Sequence, residues 1–127
     1  MQTILFVLLG IFALALSASA AEPTRQVLLD KPLSANADTR GVTLMIDWPA
    51  GSEVARHTHP GDEYAVVLDG AIEVTTDGGG VKTYNAGEAY HNARDVVHSS
   101  RAAGGKPART LATLVVEKDR PLSVPVQ

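Results

Sequence analysis

Past its first twenty residues the chain sustains no helical period. It advances in short runs separated by turn signals. In "GVTLMIDWPAG", Val42, Leu44, Ile46 and Trp48 alternate with Thr43, Met45 and Asp47, and Pro49 to Gly51 close the run. A period of two is the signature of a strand with one buried face. "EYAVVLDG" follows as a β-branched run ending in Asp69-Gly70, a hairpin signal, with "AIEVTT" as the expected return strand. "DGGG" is another turn, before "VKTYN", and Ala86-Gly87 another, before "EAYH". "HSSRAA" and "RTLATLVVE" flank "GGKP" and read as a further hairpin. Strands recurring every 8 to 12 or so residues predict an all-β protein, an antiparallel sandwich or barrel. Val66, Leu68, Ile72, Val74, Leu114 and Val116 are its expected core, and Pro121 and Pro125 are expected to end regular structure.

The first stretch differs from everything after it. Met1–Ala21 holds no charged side chain, and its apolar centre, Ile4 to Leu16, is shorter than the roughly 20 residues of a comfortable membrane span. Small residues at Ala18 and Ala20, and at Ser19 and Ala21, suit a signal peptidase. Residues 1–21 therefore read as a signal peptide rather than an uncleaved anchor, although the basic n-region is missing. The expected location is periplasmic or secreted, with no stable membrane association after cleavage. Residues 22–127 form one domain, its core at about 40–117, preceded by a polar arm with one short strand, Gln26 to Leu29.

The formal charge is −3, aromatics make up 5% and no basic run occurs, which excludes a nucleic-acid binder by electrostatics. There is no cysteine. An exported domain of this size must then hold itself by packing, metal or oligomerisation. Any metal must be held by nitrogen and oxygen ligands.

The chemistry concentrates in "GSEVARHTHPGDEYAVVLDG", Gly51 to Gly70. His57 and His59 stand two apart, so a strand turns both imidazoles to one side, about 7 Å apart along the backbone. Pro60-Gly61 turns the chain, and Glu63 can return a carboxylate to the same spot. Such a set suits Zn²⁺, Mn²⁺, Fe²⁺, Ni²⁺ or Cu²⁺. A histidine pair on a solvated strand face is the competing reading, and the Glu63 spacing with glycine turns on both sides weighs against it. Arg56 alternates with His57 and should face solvent. Trp48 and Tyr64 could line a pocket or serve as core aromatics.

Gly51, His57, His59, Glu63 and Gly70, at these intervals, resemble the first motif of the cupin superfamily with every signature position filled. The resemblance implies a jelly-roll β-barrel holding a divalent transition metal, with His57, His59 and Glu63 as ligands and one more histidine from a second motif. That motif is degenerate here. A register ending on His98 keeps Gly87, with Ala93, Asp95 and Ala102 in place of Pro, Gly and Asn. A register ending on His91 keeps Gly80. Strand accounting favours His98, because it leaves "VKTYN" a strand of its own and lets His98 open the "GGKP" hairpin. His91 then lies behind the ligands or on the surface, and Asp62, Asp95 or backbone carbonyls would orient the ligands.

The resemblance implies a small-molecule substrate and a metal-dependent enzyme, dioxygenase-like or an isomerase, with Glu63 as ligand or general base. A non-catalytic binding or metal-sensing cupin is the alternative, and a purely structural metal is a third. A homodimer would use the apolar edges "QVLL" and "PLSVPV".

Overall fold

The computed structural model describes residues 21–127, and the expected signal peptide falls almost entirely outside them. The described residues contain ten strands: β1 (Thr24–Leu33), β2 (Asn36–Trp48), β3 (Glu53–Thr58), β4 (Gly61–Asp69), β5 (Ala71–Thr76), β6 (Gly80–Asn85), β7 (Ala89–Asn92), β8 (His98–Ala102), β9 (Ala108–Glu117) and β10 (Val124–Pro125). They form two five-stranded antiparallel sheets, ordered β1-β2-β9-β4-β7 and β10-β3-β8-β5-β6. The fold is the expected all-β jelly-roll barrel.

Alternation does most of the folding. Val42, Leu44, Ile46 and Trp48 of β2 face Ile72 and Val74 of β5 across the core, with Ala112, Leu114 and Val116 of β9 beside them. The expected core positions Ile72, Val74, Leu114 and Val116 are buried, but Val66 and Leu68 lie outside, 38% and 45% exposed. Strand parity explains the correction. Glu63 points inward, so Ala65 and Val67 follow it into the core and Tyr64 and Val66 cannot.

Two expected hairpins are crossovers. β4 pairs with β7 and β9, and β5 with β6 and β8, so Gly70 carries the chain from one sheet to the other. β8 pairs with β3 and β5, not with β9, so the "GGKP" segment is a second crossover. Hairpin signals mark sharp turns, and a jelly roll spends many of its turns changing sheet. The "DGGG" turn is a true hairpin, joining β5 to β6.

Both ends of the described segment hold more strand than expected. The arm is a hairpin of β1 on β2, far longer than Gln26 to Leu29. Pro125 does not end pairing: Val124 and Pro125 lie against Thr58 and His57 of β3. The "QVLL" and "PLSVPV" segments thus each pair within their own chain.

Candidate metal centre

Four side chains from three strands and one turn meet between the sheets. His57 and His98 are directly opposed on β3 and β8, so their side chains leave the sheet on the same face. A register shift before His57 marks a bulge in β3, and His59 follows two residues on, past the strand end. The ring centroids of His57, His59 and His98 are 4.3 to 4.9 Å apart. Their ligand nitrogens lie within 4.8 Å of one another. Glu63 enters from β4, with Oε2 3.5 Å from His59 Nε2 and 3.7 Å from His98 Nε2. All four residues are buried.

Main-chain carbonyls set the imidazoles. Nδ1–H of His57 donates to the Ala55 carbonyl at 2.7 Å, that of His59 to Leu122 at 2.6 Å, and that of His98 to Val96 at 3.0 Å. A carbonyl only accepts, so each neutral ring keeps its proton on Nδ1 and turns the Nε2 lone pair into the site. Nε2 of His59 and of His98 is buried with no hydrogen-bond partner, and such orphans are costly unless something ligates them. The donor set therefore fits a divalent metal: three imidazole lone pairs and one carboxylate oxygen. The side chains first considered for orientation do no such work. Asp62 pairs with His91 at 2.9 Å on the surface, and exposed Asp95 bonds Arg94.

Charge reinforces the arrangement. Burial holds the His57 pKa down at about 4, helped by the neighbouring histidines, so this ring stays neutral across the physiological range. Burial pushes the Glu63 carboxyl up, but the closeness of His59 and His98, with the hydrogen bond from Asn92, outweighs it and holds the group well below the usual carboxylate range. For His59 burial again works against charge, and Glu63 outweighs it and raises the pKa.

The structure places His91 on the surface, stacked on Tyr64, and brings His98 to the site through its pairing with His57 rather than through a "GGKP" hairpin. Tyr64 is exposed, so it is neither pocket nor core; Trp48 is buried, lines the pocket and donates its Nε1–H to Thr110. Arg56 faces solvent and pairs with Asp77, as expected.

A family model for the cupin domain matches residues 44–116, more than half of the chain. The chain belongs to the cupin family. Solved structures carry the same fold. A conserved protein with a double-stranded β-helix domain from Klebsiella pneumoniae is 24% identical, with 85% of this chain and 90% of that one covered at a TM-score of 0.65. The KdgF protein of Halomonas sp. is 19% identical, over 76% and 82% of the two chains, at 0.62. DMSP lyase DddQ of Ruegeria pomeroyi is 18% identical at 0.66, over 81% of this chain but only 51% of that one. No curated protein matches.

This cupin's cavity, about 210 Å³, opens beside the four residues and is also lined by Arg25, Trp48, Tyr90, Ser100, Leu122 and Ser123. Reasoning from sequence missed Asn92, which lies opposite Glu63 on β7 and donates Nδ2–H to Glu63 Oε2 at 2.7 Å. It missed Tyr90 too, one strand repeat away on the same face. Parity with Asn92 links the two, but only the β4–β7 pairing reveals either.

Proposed function

We propose that this cupin binds a divalent transition metal through His57, His59, Glu63 and His98 and acts as a metal-dependent, dioxygenase-like enzyme on a small molecule. The observation that carries the reading is the set of three Nε2 lone pairs and one carboxylate converging beside an accessible cavity. Structural sites tend to close their coordination, whereas catalytic sites keep room for water or substrate. A bound ion would supply Lewis acidity and, if redox-active, one-electron chemistry. The chain's own residues do the rest. Glu63, held ionised and fixed by Asn92, balances the charge of the ion and offers it an oxygen ligand. Leu44, Val54 and Leu122 exclude water from one side of the cavity. At about 210 Å³ the cavity sits below the roughly 300–1,000 Å³ of drug-sized pockets, which favours a substrate of few carbons over a flavonol-sized one.

Tyr90 favours a second reading. Burial first, and then the nearby Glu63 charge, drive its phenol pKa up, so it keeps its proton and can offer a hydrogen bond within the cavity. A fixed hydrogen-bond donor can stabilise a developing oxyanion, which suits non-oxidative chemistry, an isomerase or lyase, at the same metal. The neutral alternative is a binding or metal-sensing protein without turnover. We also propose that the protein is exported, which the intact mass of the purified native form checks.

Elemental analysis of wild type and of the His57→Ala/His98→Ala double variant tests the site; full metal content in the double variant would end the assignment. Oxygen uptake by the iron-loaded protein with small phenols and short hydroxy acids separates the readings. Uptake supports the oxidative one; product without uptake supports the non-oxidative one.

A further inference from the structure

The chain has seven arginines. Six of them, Arg40, Arg56, Arg94, Arg101, Arg109 and Arg120, sit in ion pairs with carboxylates. Arg25 is the exception: among the described residues no carboxylate lies within ion-pair distance of it. It is also the arginine that lines the cavity of the candidate metal centre. β1 puts it there, because Arg25 is opposite Ile46, a buried residue of β2, and opposed residues share a face. Its charge is felt at His59.

The charge balance of the cavity then points one way. Glu63 is the only acidic residue in its lining, against Arg25. A divalent ion on neutral imidazoles and Glu63 would leave one positive charge, and Arg25 adds a second. Arg25 is exposed, so water satisfies it in the free protein and its charge is uncommitted toward a ligand entering the cavity. A guanidinium presents a planar fork that pairs two-pronged with a carboxylate. The remaining wall mixes apolar side chains, among them Leu44, Val54 and Leu122, with the uncharged polar groups of Tyr90, Ser100 and Ser123.

We infer that Arg25 is the specificity-determining residue of this site, and that the substrate is a short-chain carboxylate whose carboxylate seats on Arg25 while its other end reaches the metal position. The inference rests on the metal-centre reading and adds the substrate class to it. Arg25 precedes the segment that matches the family model, residues 44–116, so it is a feature of this chain's own N-terminal strand.

The test is calorimetric titration of the metal-loaded full domain with lactate, with its neutral isostere lactamide, and with inorganic phosphate. Metal content is measured on the same samples. Wild type should bind lactate at least tenfold more tightly than lactamide and more tightly than phosphate. Arg25→Gln should erase the preference with metal content and melting temperature unchanged, and Arg25→Lys should restore part of it. Equal binding of lactate and lactamide, or an undiminished preference in Arg25→Gln, overturns the inference alone. Tighter binding of phosphate replaces the carboxylate class. A wild type that holds no metal ends both the metal-centre reading and this inference.

Discussion

His57 shows what burial does to a single ring. Its pKa of about 4 in the metal-free fold lies below the value near 6.5 that it takes in an unfolded chain. The unfolded state therefore takes up a proton first as pH falls. The stability that this difference contributes is complete above pH 6.5 or so and is lost on the way down to about 4. His59, with its pKa raised, has the opposite sign, and the stability that Glu63 contributes is complete above the ordinary carboxylate pKa and lost as pH falls through and below it. Comparison with a His57→Gln variant isolates the effect. Urea midpoints of the metal-free proteins between pH 7 and 4.5 should fall more steeply for wild type, and parallel curves would refute the account. Asn92 works on Glu63 in another way, as its buried hydrogen-bond donor. Asn92→Ala should cost about 2 kcal/mol of stability, since it strips a buried charge of a partner. It should also weaken metal binding by about 10- to 100-fold, read by competition with a chelator.

At the scale of elements, the site depends on how closely the chain turns between β3 and β4. A Cβ on Gly61 would stand 1.9 Å from the Val115 carbonyl oxygen, so no side chain fits where the chain enters β4. Gly61→Ala should therefore destabilise the fold by about 3 kcal/mol, at the upper end of overpacking costs, and displace Glu63, with loss of metal on elemental analysis. The C-terminal strap matters through one carbonyl. Ending the chain after Arg120 removes the Leu122 acceptor of His59, along with β10, and should weaken metal binding about tenfold while the two sheets keep their circular dichroism. Much of this was legible in the sequence. The period of two in β2 and the spacing of His57, His59 and Glu63 are local, so they can be read from the residues alone. Strand partners are not local. Gly70 and the "GGKP" segment look like hairpin turns because turn chemistry records the bend, not which sheet receives the next strand. Tyr64, Val66 and Leu68 were misplaced because a run apolar at every position hides its own parity, which Glu63 alone discloses. Asn92 and Arg25 reach the site only through pairings that no short motif encodes.

Across the whole molecule, the metal and the fold should support each other. Ligands that converge only in the folded state make binding a stabilising force by mass action. Free metal at 100 times its Kd would add about 2.7 kcal/mol. For a domain of this size, chelation should then lower the melting temperature by about 10 °C or more. An unchanged melting curve on chelation would count against a bound ion. The carbonyls of Ala55, Val96 and Leu122 that orient the histidines belong to the main chain. Every amino acid brings the same carbonyl, so substitutions at those three positions leave the aim of the imidazoles alone as long as the strands hold their course. The aim of the three imidazoles is thereby insulated from mutational drift at the positions that set it. A barrel built this way can exchange most of its residues, cavity wall included, and try new substrates without having to reinvent its metal site.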